Sequence, residues 1–293
     1  MIRFEFPKNV GSNYAGYQVF IDLIEATKEL DFDTIELDFA KNTWFEANLC
    51  AGLGAIISGI EENFNSVKLI NLHGWPETIL RKNNFLVHFG GEPMLDRYNT
   101  TVQYQKYKVS EEKLIKKYLD EDLLQKEEFP EISEVLRKKI GESIFELFSN
   151  AYIHGGCTHV YSCGQHYPNK QPPRLDFTIV DMGNTIKKKV SDFLDSSISG
   201  TGAIEWAFME GNTTKQGNHP GGLGLKVIQE FMRANNGKIQ IVSADGYWEM
   251  IKGAVSTSEY EAPFPGSLIN LEFNLDDLSY VQEYDNISID DIF

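Results

Sequence analysis

One stretch restricts the folds open to this chain more than any other: residues 130–156, PEISEVLRKKIGESIFELFSNAYIHGG. Ile132, Val135, Leu136, Ile140, Ile144, Leu147, Phe148 and Ala151 recur at three-then-four spacing, which predicts a long helix with one buried face. Pro130 is expected in its first turn, and Gly155-Gly156 supplies a C-terminal stop. Glu146, Asn150 and His154 lie four residues apart and form a second stripe beside the apolar one. On an ordinary helix such a stripe is a solvated face. Here it holds an acid, a carboxamide and an imidazole. A glutamate can orient or deprotonate a water, and an Asn carbonyl is a hard oxygen ligand suited to Mg²⁺ beside phosphate oxygens.

The string Glu146-Leu147-Phe148-Ser149-Asn150-Ala151-Tyr152-Ile153-His154-Gly155 resembles the N-box of the GHKL ATPase superfamily, which joins histidine kinases, gyrase B, MutL repair proteins and heat-shock chaperones. Val180-Asp181-Met182-Gly183-Asn184 is similar to its first glycine box, and Gly221-Gly222-Leu223-Gly224-Leu225 to its second. The three motifs stand in the family's order between Lys138 and Leu275. The resemblance implies a two-layer α/β sandwich with a mixed sheet over residues 130–275, binding ATP and Mg²⁺. It implies that Glu146 orients or activates the attacking group, that Asn150 holds Mg²⁺, and that Asp181 accepts a hydrogen bond from the adenine amino group. Gly183 would give the base clearance, and Gly222, Leu223, Gly224 and Leu225 would border the phosphates at a helix entrance. His154 is expected to be structural. Asn184 and Thr185 depart from the family's Asp-x-Gly-x-Gly pattern, Thr185 replacing its second glycine.

Residues 184–220 are expected to form a lid. Its Lys187-Lys188-Lys189 run reads as a solvated face, 202–210 as a helix, and the polar loop 211–218 offers Thr214 and Lys215 as phosphate contacts. No GxxxxGK[ST] sequence occurs, which disfavours a P-loop mechanism. Cys157, His159, Cys163 and His166 lack a CxxC pair, so their alternation reads as a strand before a zinc site. Leu175, Phe177 and Ile179 predict a strand that delivers Asp181 at its end. Leu223, Val227, Ile228, Phe231 and Met232 predict a core-facing helix ended by Asn235-Asn236-Gly237. Strands are expected over 238–243, 247–252 and 267–273, with Gly266-Ser267 at the family's third glycine position.

Ahead of this region, residues 1–98 read as an α/β unit. Strands are expected over 2–6, 34–39 and 66–72, and helices over 17–30, 51–60 and 76–85; Phe20, Ile21, Ile24 and Ala26 are candidate core residues of the first helix. The order of elements and the stretch from Asp38-Phe39 to Gly52-Leu53-Gly54-Ala55 resemble an anti-sigma-factor antagonist (STAS) domain. That family's phosphate-accepting serine precedes the Gly-Leu pair, where Cys50 and Ala51 stand here, so a docking or self-association module is expected rather than a phosphorylation switch. Residues 99–129 read as a charged connector with an extended piece over 100–109 and a helix over 111–124, and 276–293 as an acidic tail.

The formal charge of −16 argues against a general nucleic-acid or anionic-membrane binder. No apolar run approaches the ~20 residues of a membrane span, and MIRFEFPKNV lacks signal-peptide features, so a cytoplasmic protein is expected. Three cysteines suit reduced thiols. Three uses of a GHKL engine differ in product: a serine/threonine kinase of the anti-sigma-factor type, a conformational ATPase, or a nucleotide-controlled binding or dimerisation module without kinase activity. A histidine kinase is disfavoured, because no helix bearing a phosphoacceptor histidine precedes the N-box.

Overall fold

The computed structural model describes residues 1–127, 129–130, 132–209, 212 and 223–276, with the backbone alone for 151–155 and 223–224. Its first part alternates strand and helix: β1 (Ile2–Glu5), β2 (Asn9–Val10), α1 (Tyr14–Thr27), β3 (Thr34–Asp38), β4 (Trp44–Phe45), α2 (Cys50–Glu62), β5 (Ser66–Ile70) and α3 (Gly74–Lys82). Strands β1, β3 and β5 form a parallel sheet, as helical crossovers require, and β2 pairs with β4 beside it. The first helix begins three residues before its expected start, because the Asn13 carboxamide oxygen accepts from the Gly16 N–H at 3.0 Å and caps it. It also ends earlier, at Thr27, and leaves Ala26 exposed rather than in the core.

The second part contains β6 (Thr101–Lys108), α4 (Glu112–Tyr118), a π-helical turn (Leu119–Leu124), α5 (Glu134–Gly155), β7 (His159–Tyr167), β8 (Arg174–Asp181), α6 (Ile186–Leu194), α7 (Gly200–Phe208), α8 (Leu223–Ala234), β9 (Lys238–Ile251) and β10 (Ala254–Asn274). Its five strands run in the order β6-β7-β8-β10-β9. The sheet was expected to be mixed, yet all four pairings are antiparallel. Hairpins join β7 to β8 and β9 to β10, which makes those two pairings antiparallel; β6–β7 and β8–β10 are antiparallel across longer helical connections. The last two strands are also longer than the pattern 238–243, 247–252 and 267–273 suggests. Ala244 takes a left-handed conformation within β9, and register shifts around Phe264 let β10 carry Pro263 and Pro265.

Residues 99–129, expected as a charged connector, supply the edge strand β6 and pack Ile115, Tyr118, Leu119, Leu123 and Leu124 into the core around α5. Glu112, Lys113, Lys116 and Lys117 line the outer side of the short helix α4, whereas Lys126 is buried and donates to the Thr101 carbonyl at 3.3 Å. The long helix α5 starts after Ser133, whose Oγ accepts from the Leu136 N–H at 3.3 Å; Pro130 therefore precedes the helix rather than entering its first turn. Gly156 ends it in the left-handed conformation. Ile140, Ile144, Leu147 and Phe148 are buried, whereas Val135 is 53% exposed and lies off the buried face.

Strand alternation sorts the two faces of the large sheet. Leu175, Phe177 and Ile179 of β8 join the core beneath α5 and α8, while Val180 faces the opposite way, into the core formed with α1 and α2. Helix α2 consequently has apolar neighbours on two sides, the small parallel sheet and the back of the large one. Gly54 permits the approach: a Cβ there would collide with the Tyr104 phenol of β6. Polar groups also cross this seam. The buried Asn48 amide donates to Thr178 Oγ1 at 2.9 Å and Asn270 Oδ1 at 3.0 Å, and the Tyr17 hydroxyl to Gln240 Oε1 at 2.9 Å. Arg174 lies within 2.7 Å of Glu46 and 3.2 Å of Asp176.

Candidate functional site

The strand register places four residues in a row on the α5/α8 side of the large sheet. Val160 pairs with Asp181, Asp181 with Ser267, and Ser267 with Ser243. Cross-strand partners point the same way, and Asp181 continues the Leu175, Phe177, Ile179 series. Asp181 therefore ends its strand facing the helical layer that contains α5. The backbone fold at this point is tight, since a Cβ on Gly266 would collide with the Asp181 carbonyl group. Ser243 ties the row to the next helix by accepting from the Ile186 N–H at 2.9 Å and donating to the Gly266 carbonyl at 2.7 Å.

Asp181 is 8% exposed, and its Oδ1 accepts from the Gly183 N–H at 3.1 Å. Burial pushes its carboxyl up to about 6, against the opposing pull of the Lys189 ammonium and the Gly183 amide. Lys189 itself is driven downward by the same burial. The expectation of a solvated Lys187-Lys188-Lys189 face thus fails at two positions. Lys187 binds both oxygens of Asp245 at 2.9 Å, and Lys189 is half-buried within the electrostatic reach of Asp181; Lys188 alone sits in an exposed pair, with Asp192 at 2.8 Å. Cys157 adjoins this group, its thiol pushed up to about 11 first by burial and then by the Asp181 charge.

Thr185, the departure from the expected glycine, has a local role. Its Oγ1 accepts from the Lys188 N–H at 3.1 Å and caps α6. Gly183 follows the strand end directly, and Asn184 lies near the C-terminal turn of α5, 3.6 Å from the position a Gly156 Cβ would take. Glu146 and Asn150 are half-buried on successive turns of α5, on the helix that packs over the Asp181 side of the sheet. Leu223, Gly224 and Leu225 open α8, and Leu225 packs against the second core. Thr214, Lys215 and Gly222 lie outside the described residues, as does the tail beyond Asp276; the His154 side chain is not among the described ones either.

Two residues at this place were not singled out for function by sequence reasoning: Ser243, in the row, and Lys189, on α6 beside it. Ser243 gave no signal, being one hydroxyl in a strand; Lys189 was legible only as one of three consecutive lysines. Among the described residues no three His, Cys, Asp or Glu side chains converge as a metal site, and no helix is long and apolar enough to cross a membrane. No protein-family model matches the chain, and no curated protein matches it in sequence.

Proposed function

We propose that this chain binds Mg-ATP on the α5/α8 side of its antiparallel sheet, as the GHKL family it resembles does, and uses the nucleotide in regulation. The observation that carries the reading is a strand-end carboxylate, Asp181, buried beneath a helix that bears an acid and a carboxamide one turn apart. The donor chemistry fits the nucleotide. Asp181 accepts the adenine amino hydrogen while the Gly183 amide fixes its other oxygen. The Asn150 carboxamide oxygen holds Mg²⁺, and Glu146 orients the attacking water or hydroxyl. Bound ATP supplies the phosphoryl bond to be cleaved. Leu223, Gly224 and Leu225 open α8, whose entrance offers backbone N–H groups to the phosphates.

The same reading makes residues 1–98 a STAS-like docking module. Its helix–strand order supports this, and so does the burial of Cys50 and Ala51, which occupy the family's acceptor positions without a hydroxyl. That burial favours a nucleotide-controlled conformational ATPase over self-phosphorylation of this unit. Transfer to a separate polypeptide would instead identify an anti-sigma-factor-type kinase.

Calorimetry with ATP and Mg²⁺ tests the assignment. Wild-type protein should bind, and Asp181→Asn should lose at least tenfold in affinity, whereas Glu146→Ala should keep affinity and lose phosphate release. Equal ATP affinity in the wild type and Asp181→Asn would overturn the adenine assignment. Labelled ATP separates the uses: free phosphate without labelled protein marks the ATPase, and a labelled partner marks the kinase.

A further inference from the structure

A second cleft lies on the seam between the first unit and the large sheet, on the side of the sheet away from Asp181. It encloses about 810 Å³ between β4, the start of α3, the segment before β6 and the β7–β8 hairpin. This is the size of a small-molecule site. One side is an offset stack of two indoles: the Trp44 and Trp75 rings lie within 6° of parallel with their centroids 5.4 Å apart, so each covers one face of the other. Trp75 remains 36% exposed and Tyr98, across the cleft, 78%. An indole and a phenol kept open to solvent at one place are more than packing requires.

The charge of the cleft is opposite to that of the protein. The chain has a formal charge of −16, with 43 acidic residues, yet among the described residues no carboxylate lines this cavity. Lys82 and Lys170 do. The Lys170 ammonium stands 4.8 Å from the centre of the Trp44 ring, a cation–π position that leaves its N–H groups available to an anion, while Lys82 is only loosely paired to Asp96 at 3.6 Å. Gln165, 2% exposed, also lines the cavity. Its Nε2 donates to the His166 carbonyl at 2.9 Å, but its Oε1 has no hydrogen-bond donor among the described residues. A buried carboxamide oxygen in that condition lacks the partner such groups normally have, and a ligand donor meets that need when the carboxamide turns toward the cleft.

We infer that this cleft is a binding site for a planar aromatic anion that also carries an N–H or O–H donor, its ring stacked on the outer face of Trp75, its acidic group held by Lys170 and Lys82, and its donor directed to Gln165. The inference does not depend on nucleotide binding at Asp181. The first unit and the sheet both contribute walls, so such a ligand bridges the seam between them.

Calorimetry on the full chain with indole-2-carboxylate tests this, using two matched probes: indole-2-carboxamide, which lacks the charge, and benzofuran-2-carboxylate, which lacks the N–H. For a probe this small we expect a dissociation constant of about 1 mM or tighter. The carboxamide should bind about tenfold more weakly, and the benzofuran a few-fold more weakly. Trp75→Ala and Lys170→Gln should each weaken indole-2-carboxylate by about fivefold or more, and the exposed Tyr98→Ala, which leaves the fold unaltered, should weaken it measurably. Asp181→Asn should leave it unchanged. No binding at about tenfold above the expected constant would overturn the inference. So would equal affinity for all three probes, indifference to Trp75, Tyr98 and Lys170, or loss of binding in Asp181→Asn.

Discussion

Gly54 sits beneath the phenol of Tyr104, and a Cβ at that position would come closer to the ring than real Cβ atoms approach any heavy atom. Helix α2 can press against β6 because one residue in its middle has no side chain. Gly54→Ala should cost about 1–3 kcal/mol through overpacking. Gly59, in the same helix, has nothing within 4 Å of its Cβ position, so Gly59→Ala should add about 0.5–1 kcal/mol. Urea unfolding of the two variants should therefore move the midpoint in opposite directions.

Asp181 makes stability depend on pH in a defined sense. Its carboxyl is raised from an unfolded value of 3.8 to about 6, so the folded state holds this proton more tightly than the unfolded one. The charged group costs stability above about pH 6, and the cost vanishes below about pH 4. Asp181→Asn should accordingly raise stability by on the order of 2 kcal/mol at pH 8 and change little at pH 4, as read from denaturant midpoints at the two pH values. The same ionisation should make ATP affinity fall as pH drops through about 6.

The polar seam around Asn48 should behave as a unit. Its amide serves Ser12 Oγ at 2.8 Å as well as Thr178 and Asn270, and Asn270 in turn donates to Gln240 at 3.0 Å. Asn48→Ala leaves those buried acceptors short of a donor and should cost about 1–3 kcal/mol. A double-mutant cycle with Asn270→Ala should return a coupling of at least about 0.5 kcal/mol; additive losses would show that the two residues act separately.

Arg174 is placed among three carboxylates, Glu46 at 2.7 Å, Asp176 at 3.2 Å and Glu272 at 3.4 Å, with Lys238 2.7 Å from Glu272. Burial, then Glu272, holds the Asp176 carboxyl well above its ordinary range. Arg174→Met strips the cation from a buried acidic group and should cost about 3–5 kcal/mol. Asp176→Asn removes a carboxylate that burial already disfavours as an anion, and should leave the thermal midpoint at neutral pH unchanged or higher.

Local periodicity made α5, α8 and the β8 strand end legible, because each buries a single face and repeats its apolar residues accordingly. The two-sided burial of α2 was written more faintly, in the apolar run from Cys50 to Ile57. The early half of β10 was hidden by Pro263, Pro265 and a polar stretch, which a sheet accepts only with register shifts. Lys189 was disguised by its two neighbours, since which lysines of the three are half-buried depends on how α6 sits on the sheet. Asn48 and Asn270 are 222 residues apart, and nothing in the vicinity of either announces that they meet. The aromatic cleft likewise draws Trp44, Trp75, Tyr98 and Lys170 from distant parts of the chain.

A helix held between two sheets has no idle side. Every residue of α2 from Cys50 to Ser58 is buried, so each is judged against neighbours above and below at once. In a saturation mutagenesis library selected for soluble protein, this nine-residue window should be the most intolerant in the first hundred positions, while Glu61 and Glu62, exposed at its far end, should accept nearly anything.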